Sequence, residues 1–348
     1  MMIRLNPQTA KQWRRFRSIR RGYYSLVAIG CLLVLSLFAE LLVNNRALIV
    51  RYEGNYYFPT YAAFMPGTQF GLDYEYETNY RELQALLESQ PGNWVVLPPV
   101  PYSAFETNFE PDAFPPYPPS FQDKHFLGTD VSGRDVLARL VYGFRLAMAF
   151  SIILLGCNYL VGIAIGCAMG FWGGGFDLLF QRLIEIWSNV PFLYIIMIVA
   201  SVVVPSFWTL VTVMVIFGWM GMTWYMRTST YKEKAREYVA AARALGASNT
   251  RIVFRHILPN TISIIVTFIP FSVAAGVTAL TALDYLGFGL PPPTPSWGEL
   301  LAQGTANLQA PWIVISVVAA MTAVLLMVAY VGEAIREAFD PKKFTFYE

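Results

Sequence analysis

The chain has 348 residues, 55% of them hydrophobic and only 14% charged, with a net charge of +2 and a mean hydropathy of +0.45. A soluble chain carries about 25% charged residues, so the composition excludes an ordinary soluble domain and points to a protein embedded in lipid. So small a net charge is silent about partners, and the distribution of charge along the chain has to be read instead.

Residues 1–22 hold Arg4, Lys11, Arg14, Arg15, Arg17, Arg20 and Arg21 and no acid, and Tyr23 to Val43 is then apolar except for Glu40. A basic segment before a hydrophobic stretch also describes a cleaved signal peptide. This stretch has spanning length and is followed by no small-x-small cleavage pattern. The expectation is a retained first span, 23–43, with the N-terminus in the cytoplasm by the positive-inside rule. From 44 to 140 the chain reads as an external insert and interfacial segment, rich in Tyr, Phe and Pro. Between 44 and 135 it carries twelve acids against five bases, the balance tolerated on the translocated side. Alternation from Ala47 to Tyr52 predicts a strand and Tyr80 to Glu88 a short helix. The turns Gly128-Thr129-Asp130 and Ser132-Gly133-Arg134-Asp135 read as caps opening an interfacial helix. Asp130 and Asp135 need no metal beyond that capping, and none is assigned.

A second span is expected over Ala147–Phe171, with Gly162, Gly166 and Gly170 at fourfold spacing forming a close-packing seam. Trp172–Gln181 is read as a short inner segment. Its Gly173, Gly174 and Gly175 are not a phosphate loop, because no Gly-Lys-Ser/Thr follows. The third span, Leu183–Val204, contains Glu185 beside Arg182, read as a structural ion pair in preference to a functional intramembrane carboxylate. The fourth is Trp208–Met226. The fifth begins after Pro259, is interrupted by Pro270 and Gly276, and ends near Asp284. The Gly/Pro-rich stretch Leu286–Trp297 cannot be a regular helix, and 286–311 is expected to form an outer loop. The sixth span, Trp312–Val331, leads to a cytoplasmic tail, 333–348, with Glu333, Arg336, Asp340, Pro341, Lys342 and Lys343. Cys31, Cys157 and Cys167 lie in apolar stretches and read as small buried hydrophobes with no disulfide or metal role.

The stretch 228–260 departs from this apolar background. Helix formers run from Tyr231 to Leu245 and stop at Gly246, suited to the left-handed C′ position; Ser248 is a candidate N-cap for a second short helix ending near Leu258. Alone, such a hairpin would suit nucleic acid. Tethered to spans at both ends, it can meet a partner only at the membrane face, and no nucleic acid is expected. Ala240, Ala241 and Ala242 leave a helix surface of little bulk, open to close approach by another protein.

Ala240-Ala241-Ala242, then Gly246, then Arg255-His256-Ile257-Leu258-Pro259-Asn260 resembles the cytoplasmic "EAA" loop of ABC importer permeases of the dipeptide/oligopeptide class. His125 to Leu140 and the Pro292-Pro293-Thr294-Pro295-Ser296-Trp297-Gly298 run resemble further segments of that family, and the likeness extends from Arg14 to Pro341. The 44–140 insert looks most like the oligopeptide and microcin C subgroup. The resemblance implies an all-α integral membrane protein of the bacterial inner membrane with six transmembrane helices of the type I ABC importer permease fold, a 141–332 core, and a mixed, partly irregular external domain between the first two helices. It implies a heterodimer with a second permease subunit, two cytoplasmic ATPase domains and a periplasmic substrate-binding protein, in the lipid bilayer. The family's ATPase contact carries over to Glu237, Ala240, Ala241, Ala242, Arg243, Gly246, Leu258 and Pro259. Ala240 stands where the family has its glutamate; Glu237, about one turn earlier, is the nearest acid. The insert is then either a spacer or a lid or docking surface for the binding protein.

No Walker A pattern occurs, so no catalytic residue, metal or cofactor is expected in this chain, and ATP hydrolysis falls to the partners. No substrate ligand is assigned. A secondary transporter or channel would need ionisable residues deep in the spans, whereas Glu40, Glu185 and Asp284 sit near span ends. A membrane scaffold with an external interaction domain would leave the alanine-rich hairpin without a purpose.

Overall fold

The computed structural model describes residues 7–339 except Asp112. Arg4 of the basic segment and Asp340, Pro341, Lys342 and Lys343 of the tail therefore lie outside the described residues. Among the described residues five helices are long and apolar enough to cross a membrane, and a sixth span arises if one pair of helices bent by 68° is counted together.

The N-terminal region forms α1 (Pro7–Ser18), α2 (Arg20–Leu37) and the one-turn α3 (Ala39–Leu42). The first span thus breaks at Phe38 where one element had been expected. The break brings the Glu40 carboxylate to Arg145, 2.8 Å away. The insert follows, with β1 (Ile49–Tyr52), β2 (Asn55–Tyr57), α4 (Tyr80–Leu87) and β3 (Trp94–Val96).

The remaining helices are α5 (Val136–Trp172), α6 (Gly174–Ser188), α7 (Phe192–Val202), α8 (Phe207–Gly218), α9 (Met220–Lys234), α10 (Glu237–Ala244), α11 (Asn249–Ile252), α12 (Leu258–Tyr285), α13 (Trp297–Ala306) and α14 (Pro311–Phe339). Several boundaries correct the sequence expectations. Trp172–Gln181 is not a mere inner connector: Gly173, at φ +67, ends α5, and helix resumes at once from Gly174. The third span is accordingly the bent pair α6–α7, opened anew at Pro191, which has no N–H for a continuing helix. Pro270 lies inside an unbroken α12, because loss of one donor is absorbed locally in a packed span. Gly276 is not a break either; a Cβ there would come within 2.8 Å of Ser151 Oγ. The 286–311 loop contains α13, capped by Ser296, whose Oγ accepts from the N–H groups of Gly298 and Glu299. Ser296 and Glu299 have the spacing of a capping box, a signal overlooked beneath the prolines, although here the Glu299 carboxylate turns to Arg134, Arg139 and Gln303. Of the cysteines, all free, Cys167 alone is buried; Cys31 is exposed and Cys157 intermediate, since apolar residues on a span turn to lipid as readily as inward.

The chain divides into two compact units: residues 30–147 with 281–323, and residues 1–29, 148–280 and 324–348. In the first, an antiparallel sheet in the order β2-β1-β3 pairs Val50 with Tyr57 and Val95. Its buried face packs Val50 and Phe70 with Tyr80, Leu83 and Leu87 of α4, and α4 is held at its start by Asn79, which accepts from Arg81 and Glu82 N–H. The same unit contains a buried ion cluster that no sequence pattern had suggested. Arg134 Nε donates to Asp130 at 2.8 Å and Arg134 Nη2 to Glu299 at 2.8 Å. Arg139, fully buried, pairs with Glu299 and donates to the carbonyls of Ala104, Pro293 and Thr294. The Gly/Pro-rich loop is thereby fixed by charge-assisted bonds that a helix would otherwise have supplied internally. Asp135 Oδ1 accepts from Ala138 N–H at the start of α5, and its Oδ2 meets His125 Nδ1 at 2.7 Å. Asp130 and Asp135 are thus consumed by caps and ion pairs, and among the described residues no cluster suited to a metal occurs.

In the other unit the α5 glycines face α9. A Cβ on Gly162 would sit 2.8 Å from Trp219 O, one on Gly166 2.5 Å from Thr223 O, and one on Gly170 2.5 Å from Arg227 O. The two backbones approach closer than any side chain would permit, the geometry that small residues allow in lipid.

Candidate functional site

The segment between α9 and α12 is built by local rules at almost every step. α9 runs on to Lys234, so the first half of the hairpin is not one helix: Arg236, at ψ 148, is extended and starts α10 afresh. Beside this break, the Lys234 ammonium donates to the Phe171 carbonyl and lies 5.6 Å from that ring, securing the end of α9 to the end of α5. α10 ends in a Schellman motif. Gly246 takes φ +79, its N–H bonds Arg243 O at 3.0 Å, and Ala247 N–H bonds Ala242 O at 3.0 Å. Ser248 Oγ then caps α11, accepting from Arg251 N–H at 3.3 Å. No helix ends near Leu258. A π-helical turn, Val253–Ile257, runs straight into α12, and its wider bonding precedes Pro259, which has no N–H to give.

Inner and outer faces differ sharply. Val239 and Ala242 of α10 pack with Ile252, Ile257 and Phe171 in one buried cluster. Tyr238 hooks the underside, its hydroxyl donating to Glu233 Oε2 at 2.7 Å; burial first, and that carboxylate next, push its phenol pKa up. The outer face carries Glu237, Ala240, Ala241, Arg243, Ala244 and Gly246, all exposed, and ends in Leu245, 88% exposed. Of the residues assigned to partner contact, Ala242 therefore points inward and Leu258 is half-buried, while Pro259 is exposed. Leu245 belongs to this surface although sequence reading passed over it: as the Ccap residue before a Schellman glycine it is turned outward. The outcome is a low, largely apolar surface with one leucine knob, flanked by one acid and one base.

Behind the hairpin, Arg227 of α9 holds Asp177 of α6 in a bidentate grip, Nε to Oδ1 at 2.6 Å and Nη2 to Oδ2 at 2.7 Å. Neither residue had been singled out. An acid shortly after a glycine turn and a base at the end of the next span are a complementary pair whose distance only the fold reveals. Glu185 pairs with Arg182 at 2.5 Å on an exposed face, the structural ion pair expected. Asn158, four residues before Gly162, extends the glycine stripe with a polar group that sequence reading also missed.

Residues 162–345, which include the hairpin and the glycine seam, match the family model of binding-protein-dependent transport system inner membrane components. The chain belongs to this family. Among relatives of the permease, the inner membrane ABC transporter permease protein YejE of Escherichia coli K12 is 41% identical over 98% of this chain and 99% of its own. The peptidoglycan transport system permease protein YejE of Agrobacterium fabrum is 38% identical over 97% of this chain and 94% of its own. The oligopeptide transport system permease protein OppC of Haemophilus influenzae is 29% identical over 64% of this chain and 72% of its own. The permease is thus an inner-membrane, helical subunit of an ABC importer. The first two alignments run through the insert as well as the core, whereas the third covers a smaller share of the chain.

Proposed function

We propose that this permease forms half of a translocation pathway for oligopeptides or peptide-like compounds such as microcin C, alongside a second, different permease subunit. Two cytoplasmic ATPase domains supply the hydrolysis that this chain has no site for, and a periplasmic binding protein delivers the cargo. Both termini, the 228–260 hairpin and the 333–348 tail lie in the cytoplasm; the 44–140 insert and the 286–311 loop lie outside, with the insert facing the binding protein. The N-terminal run of bases without acids and the acid excess of the insert support this orientation.

The observation that carries the reading is the exposed face of α10. Ala240, Ala241 and Ala244 lie open beside the 88%-exposed Leu245, on a helix whose opposite side packs on the end of α5, on α11 and on the π-helical turn that leads into α12. Such a surface admits a partner's groove closely while transmitting force to the spans behind it. Closure of the ATPases moves the hairpin, and α9 and α12, continuous with it, tilt with it. Co-purification of the solubilised subunit followed by mass spectrometry tests this: an ATPase should accompany the native protein and be lost with Ala241→Trp. Recovery of the intact subunit alone, under conditions that keep other membrane complexes together, overturns the reading.

A further inference from the structure

A cavity of about 320 Å³ lies within the unit that contains the glycine seam, walled by α5, α8, α9 and α12. Its lining is mostly apolar, with Leu154, Met214, Met222 and Phe268 among the walls. Polar groups break this lining at Asn158, at Tyr225 and at Tyr159, whose hydroxyl meets Ser272 Oγ at 2.7 Å.

The sequence explains why the cavity opens here. Asn158 precedes Gly162, Gly166 and Gly170 in the same fourfold stripe of α5. Along the glycines α9 presses directly on α5. At Asn158 the facing chain is interrupted, because α8 ends at Gly218 and α9 begins at Met220. Gly218 leaves just enough room: a Cβ there would sit 2.4 Å from Asn158 Nδ2. A carboxamide thus occupies the point where the seam parts.

That carboxamide is unsatisfied. Asn158 Oδ1 is buried with no hydrogen-bond partner among the described residues. A buried acceptor without a donor is costly in any protein interior, and a span offers no compensating solvent. The neighbouring polar pair on this wall satisfies itself; Asn158 does not.

A primary carboxamide presents an acceptor and a donor side by side in one plane. It is matched by the N–H and C=O of a peptide unit, through two parallel hydrogen bonds, and the match survives exchange of the amide oxygen and nitrogen. We infer that Asn158 is a cargo-contacting residue: its carboxamide, packed against Gly218 with Oδ1 out of reach of solvent, turns into the cavity and pairs with a backbone amide of the translocating peptide while the apolar wall around Met214, Met222 and Phe268 receives an adjoining side chain. The cavity has the size of a small ligand pocket. Recognition of backbone and not side chain suits a pathway that passes peptides of varied sequence. This inference rests on the peptide reading above.

The test uses the assembled transporter with its partner subunits and binding protein, in cells lacking other peptide uptake. Cells receive a mixed library of tri- to hexapeptides and a matched library with N-methylated backbones, and uptake is read by mass spectrometry. N-methylation removes the donor that Asn158 would accept. The binding protein contributes the same discrimination to wild type and variant, so the change in the ratio reports the permease. Asn158→Leu should shrink the preference for unmethylated peptides by about tenfold, one hydrogen-bonded pair's worth. It should also raise half-saturating concentrations, and Asn158→Gln should restore part of both. Ser201→Ala, which removes an intrahelical hydroxyl on α7 outside this cavity, should leave the preference intact. An unchanged ratio in Asn158→Leu overturns this inference and leaves the peptide reading standing. Failure of the wild-type transporter to take up either library overturns both.

Discussion

Arg227 grips Asp177 through two hydrogen bonds of 2.6 and 2.7 Å, joining α9, at the residue just before the hairpin, to the first turn of the bent pair α6–α7. Both side chains are largely withdrawn from water, at 26% and 15% exposure, where bonds between charged groups are worth about 1.5–3 kcal/mol. Any push on α10 that moves α9 therefore also pulls on α6.

Severing this grip should uncouple the two ends. In the assembled transporter, Arg227→Ala or Asp177→Ala is expected to lower peptide uptake several-fold while ATP hydrolysis continues, and the double variant should be no worse than either single one. Additive losses in a double-mutant cycle would show that the two residues act independently.

The glycine seam makes a sharper structural prediction. Gly166→Val must push a side chain into Thr223 O, 2.5 Å from the Cβ position, whereas Gly156, on the same helix, has nothing within 4 Å. Gly166→Val should therefore abolish accumulation of folded protein and Gly156→Val should not, as judged by detergent gel filtration. Equal behaviour of the two would remove the seam from the account.

Much of this architecture was legible in the sequence, and the exceptions share a cause. Hydropathy marked the five long spans and the bent pair α6–α7, and Gly246, Ser248 and the small-residue spacing marked turn, cap and seam, because those signals are local. The break at Phe38, the run of α9 to Lys234 and the merging of α11 into α12 across a π-helical turn escaped, because each depends on what the chain packs against. The same holds for the site. The alanines were visible, but that Ala242 faces Phe171 while Leu245 projects outward follows from the extended Arg236, which resets the phase of α10. Arg139 and Glu299 lie far apart in sequence and meet only in the fold.

That buried pair should be indispensable to the unit that contains the insert. Glu299→Gln takes from the fully buried Arg139 guanidinium the nearer of its two carboxylates, leaving Asp130 at 3.4 Å, and breaking one side of a buried pair costs up to about 3–5 kcal/mol. Thermal unfolding of the purified subunit should begin several degrees lower. Arg182→Gln, which breaks an exposed pair, should leave the unfolding temperature nearly unchanged.

The insert should loosen in alkali. Burial, and then the neighbouring Glu77 carboxylate, raise the Tyr80 phenol above its ordinary value, so folding favours the neutral form. The sign follows from linkage: this contribution is complete below about pH 10, the unfolded phenol's pKa, and is lost as pH climbs through the higher folded value. Trp94 fluorescence should report an alkaline transition that Tyr80→Phe moves to higher pH; a transition unaffected by that substitution would place the sensitivity elsewhere.

The most direct test of the central claim is site-specific cross-linking at the outer face of α10. With a photoreactive residue in place of Ala241, irradiation of the complex in its native membrane should yield an adduct with an ATPase subunit, altered in amount when ATP is bound. The same residue in place of Tyr61, on the insert, should capture no ATPase. An ATPase adduct at Tyr61, or capture at Ala241 of lipid alone, would contradict the assignment of the hairpin as the surface through which ATP hydrolysis drives transport.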